Sequence, residues 1–146
     1  MTAVLAAGLR PTLKPMILAV VICVVAIVVE PVVYQLALLP LIQGGRQVST
    51  PIWLLLWGAI PAAAFATGLL VIESRRSAAI VTAAAVLRRL TTAAMAAAGA
   101  PGLKKLDVND WEYWTWMLAV EVFAWLLFAW VGRRLRLASL GDPGAR

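Results

Sequence analysis

Four long apolar runs, separated by short polar breaks, make up most of the chain. The first covers about Met16 to Ile42 and is apolar except for Glu30, Tyr34 and Gln35. A helix of that length exceeds the roughly 30 Å hydrocarbon layer, so a tilt, a kink or a protruding end is expected. Pro31 lacks a backbone donor and disfavours helical geometry at Glu30, which places the expected bend there. The second run, about Pro51 to Ile72, opens with Thr50 as N-cap and Pro51 at the first helical position. It closes at Glu73-Ser74-Arg75-Arg76.

The third run, about Ser77 to Ala98, is alanine-rich and carries Arg88 and Arg89 in its middle. Gly99-Ala100-Pro101-Gly102 is a helix stop, because glycine takes the left-handed backbone and proline cannot continue the helix. The fourth run, about Trp111 to Gly132, is aromatic-rich with Glu121 as its one deep charge. Arg133-Arg134-Leu135-Arg136 are expected to stop it, leaving 137–146 as a loose tail.

Composition decides what these runs are for. Of 146 residues, 63% are hydrophobic and 14% charged, where soluble domains run near half and a quarter. A short chain cannot bury that much apolar surface in water. The predicted fold is therefore all-α: one domain, 1–146, an integral membrane bundle of four transmembrane helices. The first run is too long for a signal-peptide core and reads as a retained helix.

The chain has no histidine and one cysteine, Cys23. That excludes His-based metal, haem and triad chemistry and any internal disulfide. No metal and no cofactor are expected. The net charge of +6 is gathered in short basic clusters. In a membrane protein these mark cytoplasmic flanks, not a nucleic-acid site.

The third run tests that picture. Two arginines at the bilayer centre cost about 2.5–3.5 kcal/mol each on the insertion scale, and alanine returns little. Taken alone, the run reads as an interfacial helix. The flanks argue for a crossing. Arg75-Arg76 and Arg133-Arg134-Leu135-Arg136 should lie on one side, which requires an even number of crossings between them. Trp53, Trp111, Trp114 and Trp116 then form an aromatic belt at the opposite interface. Four crossings of the cell membrane, with both termini cytoplasmic, follow.

In that topology Glu30, Arg88, Arg89 and Glu121 fall at similar depth, and their charges sum to zero. Intramembrane charges face the bundle interior and pair, and the arginine fork matches a carboxylate. Helical spacing puts Cys23, Ile27, Glu30 and Tyr34 on one face of the first helix. It puts Trp114, Met117, Glu121, Trp125 and Phe128 on one face of the fourth. Tyr34, Trp114, Met117, Trp125 and Phe128 are thus candidate substrate walls around a buried Glu–Arg cluster. In the third run Thr82, Arg89 and Thr92 align, with Thr91 beside Arg88. The small residues Ala62, Ala63, Ala64, Ala66 and Gly68 of the second run allow close packing or leave room for a ligand.

Each feature also has a plainer account. The charges could be a structural lock. Cys23 could be a small apolar filler. Trp53, Trp111 and Trp116 could be interfacial anchors, and Lys104, Lys105, Asp107 and Asp110 a solvated loop. Gly44-Gly45 is a turn; the rest of a phosphate-loop motif is missing.

Leu39-Pro40-Leu41 at the end of the first helix, with Trp111 and Trp114 opening the fourth, resembles the anthrone-oxygenase-like family of small four-helix membrane proteins. The resemblance covers the gross plan, and the Asn-rich stretch expected after that family's third helix is missing. It implies a membrane enzyme acting on a hydrophobic aromatic intermediate and transfers no catalytic residue. The small multidrug transporters share four helices and a glutamate in the first, but are shorter and differ in their other motif residues.

The functional expectation is a metal-free membrane enzyme that isomerises, cyclises or opens an epoxide in a hydrophobic small molecule. Two carboxylates in unlike surroundings can divide the roles of proton donor and acceptor. Glu121 would be the donor and Glu30 the base, with Arg88 and Arg89 orienting them or stabilising an oxyanion. The alternatives are a proton-coupled transporter or channel acting as an oligomer, and a non-catalytic subunit of a membrane complex. Expected partners are membrane lipid and a hydrophobic small molecule, with a homodimer as an option and no nucleic acid.

Overall fold

The computed structural model describes the backbone of residues 2–45, 50–99 and 111–141, with side chains from Leu13 onward except at 37, 50 and 52–57. The Thr50 cap, the Trp53 anchor, the loop lysines and aspartates, and 142–146 of the tail lie outside the described residues.

Every described secondary-structure element is helical, and the elements form four rods. The first is α1 (Thr2–Val33), a π turn (Tyr34–Leu38) and α2 (Leu39–Gln43) in unbroken succession. The others are α3 (Thr50–Leu70), α4 (Ser74–Ala97) and α5 (Trp111–Gly141). Three stretches are long and apolar enough to cross a membrane: Leu13–Gln43, Ser74–Ala97 and Trp111–Gly141. Within α3 the described apolar stretch is shorter, Gly58–Leu70.

Two boundaries differ from expectation for the same reason. The first rod begins at Thr2, well before Met16, and α5 runs through the basic cluster to Gly141. Hydropathy marks where a helix leaves the apolar layer, whereas helix propensity decides where it ends. Arginine, leucine and alanine all favour helix, so Arg133-Arg134-Leu135-Arg136 do not stop α5, and 137–141 are helical.

The irregularity of the first rod is also displaced. Helix continues through Glu30 and Pro31 and widens only at Tyr34–Leu38, where the Leu39 N–H reaches back to the Tyr34 carbonyl. This π turn lies between Pro31 and Pro40, the two residues of the region that cannot donate to the helical ladder. Local widening of this kind re-satisfies the backbone groups that a proline leaves without partners.

Three residues join α3 to α4, with Glu73 extended at φ −67°, ψ 114°. At its other end α4 closes on Gly99 at φ 72°, a backbone geometry glycine adopts without strain. Contacts give the helix directions. Arg76 Nη1 donates to Met16 Sδ at 3.6 Å, and Arg88 meets Glu30 further along, so α1 and α4 run the same way. Arg89 meets Glu121, while Ser74 and Arg133 line one groove, so α5 runs opposite to α4. Arg75, Arg76, Arg133, Arg134 and Arg136 thereby gather at one end of the bundle.

The core is small-residue packing. Cys23, Ala26 and Ile27 of α1 meet Ala63 and Ala64 of α3, Val81, Ala84 and Ala85 of α4, and Trp125 and Ala129 of α5. Where α3 and α5 cross, there is no room for side chains. A Cβ on Gly68 would collide with the Ala129 carbonyl, and one on Gly132 with the Phe65 carbonyl. Gly68 therefore serves close packing and leaves no room for a ligand. Buried Thr67 bonds the Ala63 carbonyl at 2.8 Å and shares a 3.3 Å hydrogen bond with Cys23 Sγ.

Candidate functional site

One chain of charged hydrogen bonds ties α1, α4 and α5 together. Glu30 projects from α1 one residue before Pro31, Arg88 and Arg89 from the middle of α4, and Glu121 from the middle of α5. Arg88 is the bridge. Its Nε and Nη2 donate to the two oxygens of Glu30 at 2.7 and 2.6 Å, and its Nη1 donates to Glu121 Oε1 at 2.8 Å. Arg89 takes the other oxygen, donating to Glu121 Oε2 from Nη2 at 2.6 Å and from Nε at 3.0 Å. The order is Glu30–Arg88–Glu121–Arg89, two negative and two positive groups. Short charge-assisted bonds in a fork geometry are the strong kind.

Adjacent arginines point about 100° apart around a helix. That lets Arg88 turn toward both α1 and α5 while Arg89 reaches only α5. Behind it lies Trp114, whose ring centroid is 5.7 Å from the Arg89 guanidinium carbon. A cation over an aromatic face adds a favourable contact where water is scarce. Arg89 Nη2 also makes a long 3.5 Å contact with the Met117 carbonyl.

Burial is uneven. Glu121 is 8% exposed and counts as buried, whereas Glu30, Arg88 and Arg89 are half-buried. The cluster thus reaches the flank of the bundle instead of lying sealed at its centre, which corrects the expectation of a wholly buried set of charges. The reason is α4's composition: alanine covers little, so the long arginine side chains are shielded mainly by α1 and α5.

The expected substrate walls separate into two groups. Trp114 and Trp125 are buried, the first against Arg89 and the second in the core. Met117 and Phe128 are exposed, at 37% and 40%. Tyr34 is half-buried within the π turn. The threonines of α4 turn to their own backbone, Thr91 to the Leu87 carbonyl and Thr92 to the Arg88 carbonyl. Trp111 and Trp116 are exposed at the α5 start, in keeping with interfacial anchors.

The buried stripe of α5 contains the expected Trp114, Glu121 and Trp125; what the sequence reading passed over is its continuation through Ala129 and Gly132. The signal for it was the pair of small residues, which mark a helix-contact face more sharply than neighbouring large apolar ones.

Three open grooves are present elsewhere. One runs between α1 and α4, lined by residues such as Val24, Ile27 and Ala83. A second runs between α4 and α5 toward Arg133. The third lies beside Met16, Val71 and Arg76. None of these three is lined by Glu30, Arg88, Arg89 or Glu121. Among the described residues no group of three or more cysteines or carboxylates is placed to hold a metal ion. No family model matches the chain, and no characterised protein or solved structure matches it either.

Proposed function

We propose that the chain is an integral membrane protein crossing the bilayer four times, with both termini cytoplasmic, and that it serves as a non-catalytic structural component of the membrane. Its Glu30–Arg88–Glu121–Arg89 chain is then a lock that sets helix order and depth.

The observation that carries this reading is the state of the carboxylates. All four oxygens of Glu30 and Glu121 already accept an arginine hydrogen bond, at 2.6 to 3.0 Å. A proton placed on either carboxylate removes the charge that makes these bonds strong and so weakens contacts that join two helices. Acid–base turnover would therefore work against the contacts that hold the bundle. Membrane placement is supported by three long apolar helices. It is also supported by a surface rich in exposed valine and leucine along α1, and by the basic end formed by Arg75, Arg76, Arg133 and Arg134.

A second reading, the metal-free acid–base enzyme, is favoured by one observation. The side chains of Glu30 and Arg88 are 25% and 23% exposed, so a lipid-soluble molecule can reach that edge of the cluster. Buried Glu121 would then give the proton and Glu30 receive it, with the arginines steadying developing charge.

One experiment separates the two. Replacing all four charges by apolar residues of similar size removes the chemistry while leaving a packable bundle, and such exchanges of ion pairs are often neutral or stabilising. A deletion strain carrying that variant should regain the wild-type lipid and metabolite profile. A variant that folds but leaves the deletion profile unchanged supports the enzyme and overturns the lock.

A further inference from the structure

The groove between α4 and α5 is built like the seat of a single lipid. Its mouth lies at the basic end, where Arg133 stands beside Ser74 and Ser77 of the first turn of α4. Its floor is apolar, with Ala78, Phe123 and Leu127 along it. Phe123 and Arg133 are ten residues apart on α5. That is about 15 Å of helix rise, close to half of a hydrocarbon core roughly 30 Å thick. The α5 wall of the groove therefore runs about the depth of one leaflet, while α4 lines its mouth end at Ser74, Ser77 and Ala78.

The charge at the mouth selects the occupant. Arg133 makes no salt bridge among the described residues, unlike Arg76, which is paired with Glu73 at 2.9 Å. Beside it, Arg134 lies over the Trp130 ring at 5.3 Å from the centroid. Trp130 also lines the groove. An aromatic ring and a cation at this level mark the headgroup region. Arg75, at the start of α4, adds further positive charge. The unbonded backbone N–H groups at the start of α4 favour an anion at the same place.

We propose that this groove binds one anionic phospholipid, its phosphate held by Arg133 at the mouth and one acyl chain laid along Phe123 and Leu127. The inference rests on the membrane reading and extends it from general immersion in lipid to a defined site on the cytoplasmic leaflet. Basic pockets between membrane helices on that side recognise anionic headgroups by this chemistry.

The test uses the full chain purified in mild detergent. Native mass spectrometry follows lipid retained after equal additions of dioleoyl phosphatidylglycerol or dioleoyl phosphatidylcholine, and in competition with inorganic phosphate. We expect one phosphatidylglycerol per chain, held at least fivefold more strongly than phosphatidylcholine. Arg133→Gln should weaken retention about fivefold, the size of one near-surface cation's contribution. Ala78→Trp, which fills the floor, should weaken it too, whereas the exposed Arg136→Gln should change it less than twofold. Circular dichroism checks that each variant folds. Should Arg133→Gln unfold, the lipid preference of the unaltered chain and the Ala78→Trp result decide.

Equal retention of both lipids, equal losses in Arg133→Gln and Arg136→Gln, or displacement by millimolar phosphate overturns the site. Release of the chain from membranes by alkaline carbonate overturns the membrane reading itself. A chain that resists carbonate but shows no lipid preference overturns the lipid site alone.

Discussion

Two regions of the bundle hold helices together by opposite means. At the α3–α5 crossing the contact is backbone on backbone, and Gly68 and Gly132 bring the two helices so close that a methyl group would not fit. Around α4 there is no such seam on the side of the charges; Arg88 and Arg89 reach outward to Glu30 and Glu121. On the membrane reading proposed above, the difference follows from the solvent. In lipid, apolar surface gains little by leaving its surroundings, so helices associate by close van der Waals packing or by polar bonds between them. The segment with the most small residues against a partner uses the first device. α4, whose alanines contribute little hydrophobicity and whose two arginines are costly alone, needs the second. Its partners' glutamates make its place in the bundle tenable.

The largest effect should come from removing the bridge. Arg88→Gln leaves Glu30 without its fork and Glu121 with two of its three arginine hydrogen bonds. Breaking a buried pair by deleting one partner costs about 3–5 kcal/mol. We expect folded yield in membranes to fall steeply, with Arg88→Lys retaining only part of it, because an ammonium cannot span two carboxylates with three fixed donors. A yield for Arg88→Gln equal to wild type would mean that α4 is held by something else.

The seam should answer to volume and be indifferent to charge. Gly68→Leu forces a side chain into the Ala129 carbonyl, and overpacking of this kind costs about 1–3 kcal/mol, occasionally more. Reversible unfolding in bicelles measures it. Gly58→Leu is the control, since nothing lies within 4 Å of a Cβ there, and it should be near neutral. Similar losses at both positions would dissolve the distinction between seam and surface.

The smallest effect belongs to the polar contact between Cys23 of α1 and Thr67 of α3. Thr67→Val removes the hydrogen bond to Cys23 Sγ while keeping shape. Interhelical bonds between neutral groups in membranes average about 0.6 kcal/mol, so the same unfolding assay should show a shift of that order. A loss as large as that of Arg88→Gln would place the main joint between α1 and α3.

Much of this arrangement was legible in the order of residues, and the parts that were not share a cause. The helices are visible because apolar runs in a helix of 1.5 Å rise have a definite reach across a bilayer. The meeting of Glu30, Arg88, Arg89 and Glu121 could be inferred from depth alone, since unpaired charges at one level are costly. Depth, however, says nothing about angle. Met117 and Phe128 share the broad face of Glu121 by spacing, yet they lie on its edges and are exposed. The true contact stripe runs from Trp114 to Gly132, guided by small residues opposite Phe65 and Gly68. The π turn at Tyr34–Leu38 was illegible because Pro31 announces a disturbance without fixing the turn that absorbs it. The length of α5 was misjudged because arginines end an apolar run without ending a helix.

The central claim is that the charged chain is a joint between helices. The most direct measurement is a double-mutant cycle between Glu121 and Arg89 in lipid bicelles, read by reversible unfolding. Glu121→Gln alone should cost more than Arg89→Gln alone, because Glu121 meets both arginines. Made together, they should cost at least 1 kcal/mol less than the sum of the two, within the range of about 0.5–3 kcal/mol seen for groups in one network. Losses that simply add would mean that the two side chains do not act on each other, and the lock would be wrong.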